Sequence, residues 1–404
     1  MTTEQQIILQ ILSASLKGEK FGNLPSSSVN WEAFLLEAKK QGVSSLLYFN
    51  MEQTAIPEEI KSHWEKMAFQ DLRSSFRVID AHVKICELFE AESIPVVTFK
   101  GYASADYYPD PLYRSMGDVD FYVEEDLREK ARKVLVDNGY VEEDLNRHHD
   151  WLYQKAGILY ELHFAISGVP RGNEGEPFRR ALKGIVTERK WTQSKVGKIA
   201  IPSDFHHGLI ILLHTASHLM AGGLGLRHLC DWAVFVNHFD DDEFRQIFQE
   251  RFEELRIWRF AQVLTKVCEK YLGLCSHEWV GEVDVSSVDK LMREFLDTGD
   301  YSAYHVSRQS DLMASEGFSV RVGHRSGLGN LLAVLRNSVE YHWPRTQNNK
   351  LLLVLGMVFS AVRYFIRIII GKRKKLDFMK MNREANERRE LYRQFGLVDG
   401  FEDE

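Results

Sequence analysis

The stretch FKGYASADYYPDPLYRSMGDVDFYVEE, residues 99–125, sets two aspartates one residue apart, close behind a lysine–glycine pair. Side chains alternate between the two faces of a strand. With DVDFYV as a strand, Val119, Phe121 and Val123 point into a core, and Asp118, Asp120 and Tyr122 point away from it. The carboxylates then share a face about 6–7 Å apart along the backbone. Like charges so placed repel unless a cation lies between them. Mg²⁺ suits the gap, because it is a hard ion held by one or two carboxylates with substrate phosphates and water completing its shell. The alternative is a solvated surface pair on a strand edge.

The neighbouring segments bear on that choice. IPVVTF, just upstream, is apolar and β-branched, the mark of a buried strand. Lys100 and Gly101 follow it directly, where a residue without Cβ lets a phosphate approach the backbone. Arg114 and Ser115 precede the aspartates and could contact polyphosphate. A short helix is expected over 102–108, and EEDLREKARKVLVDNGY reads as a helix ending near Gly139. DWLYQKAGILYELHF reads as a hairpin turning at Ala156 and Gly157, and GKIAIP as one more strand. In ILYELHF the apolar face is Ile158, Tyr160, Leu162 and Phe164, and the other face is Leu159, Glu161 and His163. Were this strand beside DVDFYV, Glu161 would join Asp118 and Asp120 as a third metal ligand or a base. Strands with helices between them make a unit of α/β or α+β type over 95–202.

Strand–Gly–helix followed by DVDFYV resembles the nucleotidyltransferase fold of the DNA polymerase beta superfamily. More closely, FKGYASADYYPDPLYRSMGDVDFYV with YELHF looks like a bacterial family of uncharacterised nucleotidyltransferases. LLHTASHL and LRHLCDWAVF look like that family's C-terminal region, so the motifs cover about residues 95–235. The resemblance implies an α+β fold, a small mixed-sheet core flanked by N-terminal and C-terminal helical regions. It implies transfer of a nucleoside monophosphate from an NTP, ATP by default, with Mg²⁺ or Mn²⁺. Asp118 and Asp120 would hold the metals, Glu161 would complete the site and Gly101 would line the triphosphate. His163 is read either as a structural histidine or as a substrate contact. Two departures matter: Tyr102 stands where the superfamily has Gly or Ser, with Lys100 as the compensating group, and the gap from Gly101 to Asp118 is long. The acceptor could be a small molecule, a glycan precursor or a protein. Two rival readings are a non-catalytic nucleotide-binding or regulatory protein on this scaffold, and a peripheral membrane protein acting on a lipid-linked acceptor.

The 404 residues are too many for one small core. The expected division is a helical region over 1–94, the catalytic unit over 95–202 and a second helical region over 203–404. Asn30 caps VNWEAFLLEAKKQG, with Gly42 as its stop, and Pro57 opens a long amphipathic helix reaching about residue 92. Ser203 and Asp204 are cap candidates for the helix after the catalytic unit. Residues 273–325 look irregular, with RVGHRSGLGN as a loop. Cys86, Cys230, Cys268 and Cys275 show no metal or redox spacing, and with no signal peptide they read as reduced cytoplasmic thiols. His214 and His218 sit i,i+4, but no further ligand or His-Glu-x-x-His pattern accompanies them, so packing or hydrogen bonding is expected over metal binding. Arg227 and Asp231 read as an i,i+4 ion pair, with a nucleotide-facing Arg227 as the alternative.

The net charge of -7 argues against a general nucleic-acid binder. From Arg363 to Arg393, however, 11 Lys/Arg face 4 Asp/Glu, a local net of +7. This segment overlaps the apolar run 351–370, which Arg363 and Arg367 interrupt. Burial of the run against the body is the leading expectation, with interfacial membrane attachment and a true membrane span as the alternatives.

Overall fold

The computed structural model describes residues 1–22, 29–52, 56–145, 150–170, 175–221, 223–299, 350–369 and 378–397, with isolated residues between 332 and 349. The loop expected at RVGHRSGLGN lies outside the described residues.

The chain begins with α1 (Thr3–Ser15), which a reciprocal Thr2–Gln5 capping box starts. Next come α2 (Trp31–Lys40), where the Asn30 side chain accepts from the Ala33 amide, and α3 (Ser44–Asn50). The 34-residue α4 (Glu58–Ala91) has Pro57 at its cap position, one residue before the helix begins. Its first half packs with α1–α3, and its second half, from Val78 to Phe89, packs under the sheet.

That sheet has five strands in the order β1-β2-β5-β4-β3. They are β1 (Val97–Thr98), β2 (Asp118–Tyr122), β3 (Val141–Asp144), β4 (Asp150–Lys155) and β5 (Ile158–His163). Only the β2–β5 pair is parallel; the others are antiparallel, so the sheet is mixed. Val119, Phe121 and Val123 are fully buried, as the alternation requires. Ala156 and Gly157 form the β4–β5 turn, both with positive φ (52° and 75°), the conformation that matches strand twist in a two-residue hairpin. Between β1 and β2 lie α5 (Gly101–Ala105) and a 3₁₀ turn, Pro111–Tyr113, which account for the long Gly101–Asp118 gap. The helix α6 (Arg128–Asp137) joins β2 to β3 and ends at Gly139, φ 77°. Three elements inside 95–202 go beyond the sequence reading: β3, α7 (Glu176–Ala181), and β6 (Lys190–Gln193), which pairs with β7 (Lys198–Ile201).

Helices follow: α8 (Asp204–Ala221), α9 (Leu226–Val236), α10 (Asp241–Phe244), α11 (Glu250–Glu254), α12 (Trp258–Leu272) and α13 (Val285–Thr298). The last corrects the irregular reading of 273–325; its Asp284 side chain accepts from the Ser287 amide, an N-cap visible only once the helix is known. Helices from both ends of the chain share one hydrophobic core, in which Ile8, Leu12 and Phe34 join Trp232, Phe248 and Phe260. The Gln41 side chain reinforces that union by accepting from the Leu226 amide at 2.9 Å.

Two further helices close the described chain. Phe378–Gln394 docks through buried Tyr392 and an Arg388–Glu294 bridge at 2.6 Å. Lys350–Ile369 departs from the expectation of burial: Leu351, Leu352, Val354, Leu355, Val358, Phe359 and Val362 are exposed. Among the described residues no helix is long and apolar enough to cross a membrane.

Candidate active site

The parallel pairing of β2 with β5 puts Asp120 directly opposite Glu161, and Asp118 opposite Leu159. The register alone therefore gathers three carboxylates on one face. They open into a cavity of about 410 Å³ whose lining also includes Lys100, Gly101, Ser104, Arg114 and Ser115, with α8 and α9 forming the facing wall.

The acids are not equivalent. Asp120 stands on the expected face, lining the cavity, but it is covered there, at 2% exposed. Its Oδ1 accepts from Lys100 Nζ and from His163 Nε2, each at 2.8 Å. Burial alone would raise its pKa, but Lys100 and His163 hold it well below the ordinary carboxylate range. His163 Nε2 also lies 3.3 Å from a Glu161 oxygen. Burial opposes ionisation of Glu161 as well, yet the hydrogen bond from His163 keeps its pKa low. The same two carboxylates raise that of His163 against the effect of its burial. Asp118 is exposed into the cleft. Desolvation within the cleft, followed by the charge of Asp120, pushes it up to about 6 despite Lys100.

Lys100 reaches Asp120 from a costly backbone position, φ 55° and ψ -119°, where β1 hands over to α5. Gly101 answers a packing need: a Cβ there would stand 2.8 Å from the His82 ring, which is buried behind it. Tyr102 is also buried, so its side chain lies in the core and not in the cavity.

More than half of the chain, residues 27–273, matches the family model described as uncharacterised nucleotidyltransferase. The chain belongs to that family. It is thus a transferase, and the family points to nucleotidyl transfer. Among solved structures, an antigenic nucleotidyltransferase-like protein from Paracoccidioides brasiliensis is similar at 14% identity, over 59% of this chain and 98% of its own, with a TM-score of 0.32. No curated protein sequence matches the chain.

In this nucleotidyltransferase the helical wall is fixed to the sheet side by groups the sequence reading paired otherwise. Arg114 donates from Nε and Nη2 to the two oxygens of Asp231, both at 2.7 Å, and the Tyr108 hydroxyl donates to the same carboxylate at 2.8 Å. All three are buried. Asp231 is therefore held by Arg114, 117 positions away, while the charge of its i,i+4 neighbour Arg227, which lines the cavity, adds to the same effect. No local pattern signals such a contact. His214, His218 and His228 line the same wall. Burial first, then the charges of its neighbours, holds His214 well below the ordinary histidine pKa.

Proposed function

We propose that this nucleotidyltransferase moves a nucleoside monophosphate from an NTP to an acceptor oxygen, with a divalent cation held by Asp118, Asp120 and Glu161. The observation that carries the reading is the in-register set of three acids, with Lys100 beside them, opening into one cavity. Their oxygens form a hard donor set, and Asp118 has its pKa raised by desolvation in the cleft first and by the charge of Asp120 second. Such a cation neutralises the phosphates and lowers the pKa of an attacking oxygen.

The remaining roles belong to the chain's own groups. Lys100 Nζ, already within the carboxylate cluster, offers a positive charge to the triphosphate. Gly101 and Ser115 line the path of the phosphates, and Ser104 adds a hydroxyl. Arg114 keeps Nη1 as the donor it can turn to a phosphate, while its other two contacts hold the wall. Glu161 is kept ionised by His163, which suits a cation ligand better than a general base, whose pKa should lie near the working pH. His163 is a positioning residue, since its proton ties Asp120 to Glu161.

Calorimetry with a non-hydrolysable NTP and Mg²⁺ tests the reading. Asp118→Asn and Glu161→Gln should abolish the Mg²⁺-dependent part of binding; unchanged affinity in both would refute it.

A second observation bears on the acceptor. The exposed apolar residues between Leu351 and Val362 precede the basic segment in the sequence, a pairing suited to an anionic bilayer surface. It supports a lipid-linked acceptor. Sedimentation with vesicles rich in anionic lipid, but not with neutral ones, is the expected result.

A further inference from the structure

The carboxylate face of the cavity has a role in the chemistry proposed above, but the imidazoles on its helical wall have none. His214 and His218 stand one turn apart on α8, and His228 is the third residue of α9. Their ring centroids are 4.4 Å (His214–His218), 5.1 Å (His214–His228) and 4.6 Å (His218–His228) apart. One ring nitrogen of each lies within 4.8 Å of those of the other two. Three nitrogens bonded to a tetrahedral ion at about 2.0–2.1 Å stand roughly 3.4 Å from one another. Small ring rotations close the difference, and His214 and His218 are only half-buried.

The orientation of the rings is the second observation. His218 Nδ1 lies 2.8 Å from the Gly223 carbonyl oxygen, and His228 Nδ1 lies 3.2 Å from that of Gly225. A neutral imidazole that donates from Nδ1 to a carbonyl carries its lone pair on Nε2. This is the outer contact that metal-binding histidines nearly always make, because it fixes the tautomer and aims the donor nitrogen. Both carbonyls belong to the turn joining α8 to α9, so the same turn sets the helix spacing and the direction of two rings.

We propose that His214, His218 and His228 form a binding site for a borderline divalent transition metal of the zinc class. Imidazole favours such ions, whereas Mg²⁺ prefers oxygen. Three histidines with a fourth position open are the layout of a catalytic, not a structural, zinc site. Here the open position faces the cavity that Lys100 and the carboxylates line. It would take an oxygen ligand, such as a hydroxyl, carboxylate or phosphate of the acceptor. The site stands on its own geometry and does not depend on the nucleotide reading.

The test uses the purified full-length chain, stripped with a chelator and titrated with Co²⁺ while millimolar Mg²⁺ occupies the carboxylates. The expected result is one equivalent of Co²⁺ showing tetrahedral ligand-field absorption, displaced by Zn²⁺. His214→Gln and His218→Gln should weaken binding by at least about 100-fold, beyond the ~10–100-fold that losing an outer contact costs. Glu161→Gln should leave it unchanged, which separates this site from the carboxylate cluster. His228→Cys guards against variants that merely unfold: a thiolate–cobalt charge-transfer band, missing in the parent, appears only if residue 228 is bonded to the metal. No ligand-field band in the parent, a band lost in Glu161→Gln but kept in the histidine variants, or no charge-transfer band in folded His228→Cys would each overturn the proposal.

Discussion

Replacing Lys100 with glycine and, separately, with alanine isolates the backbone strain beside the carboxylates. Both variants delete the amine, so both deprive Asp120 of the same 2.8 Å partner. They differ only in what φ 55° and ψ -119° cost. Holding a residue with a Cβ in so sparsely populated a region costs about 1–3 kcal/mol. Glycine escapes that cost but gives back about 0.4–1 kcal/mol through the greater freedom of its unfolded chain. Lys100→Gly should therefore be more stable than Lys100→Ala by about 0.5–2 kcal/mol, the reverse of the usual helix order. Urea unfolding followed by circular dichroism, with both slopes checked for equality, measures the difference. Mg²⁺–NTP binding should fall in both. An alanine variant as stable as the glycine one would show that the backbone is relaxed at Lys100, and that its turn is not what aims the amine.

Other expectations follow from the same contacts. Asp118 has a folded pKa of about 6 against an ordinary value of 3.8, so the metal-free fold binds its proton more tightly than the unfolded chain does. Stability should fall as pH rises from about 4 to 6, and Asp118→Asn should be more stable than the parent above that window; solvent screening limits the gain to about 1 kcal/mol. Melting in chelator at pH 4 and pH 7.5 checks the sign. In the same range, Mg²⁺–NTP affinity should weaken as pH drops below 6, read by calorimetry. Arg114→Ala leaves Asp231 charged and buried and should cost about 3–5 kcal/mol in urea unfolding. Glu161→Gln should reduce turnover by at least about tenfold and shift the Mg²⁺ dependence to higher concentration, whereas a loss of turnover at unchanged Mg²⁺ dependence would return Glu161 to the role of base.

Period-two alternation made β2 and β5 legible, because each strand buries a continuous apolar face while displaying its acids. Their adjacency was only a condition in the sequence, and the parallel register supplied it. β3 was missed because Val141–Asp144 is almost all acidic, as an edge strand can afford to be. The exposure of the apolar residues between Leu351 and Val362 could not be read from hydrophobicity, which reports a wish for burial and not its fulfilment. His228 escaped for a different reason. Spacing within one helix pairs His214 with His218, but the third ring comes from the next helix through a turn whose geometry no local pattern encodes.

The two walls of the cavity owe their positions to different forces. Backbone hydrogen bonds of the β2–β5 ladder fix Asp118, Asp120 and Glu161, so one strand cannot shift without breaking the register. The α8–α9 wall belongs to the core that the N-terminal and C-terminal helices share, and reaches the sheet side through Arg114, Tyr108 and Asp231. A bidentate pair is directional and, once desolvated, poorly replaced by water. It follows that Arg114→Lys, which keeps the charge but loses the fork, should alter the separation of the walls more than the charge of the site. The expected signature is a raised KM for the acceptor with little change in the Mg²⁺ dependence. Equal losses in both would make the Nη1 contact to phosphate, and not the clamp between the walls, the chief role of Arg114.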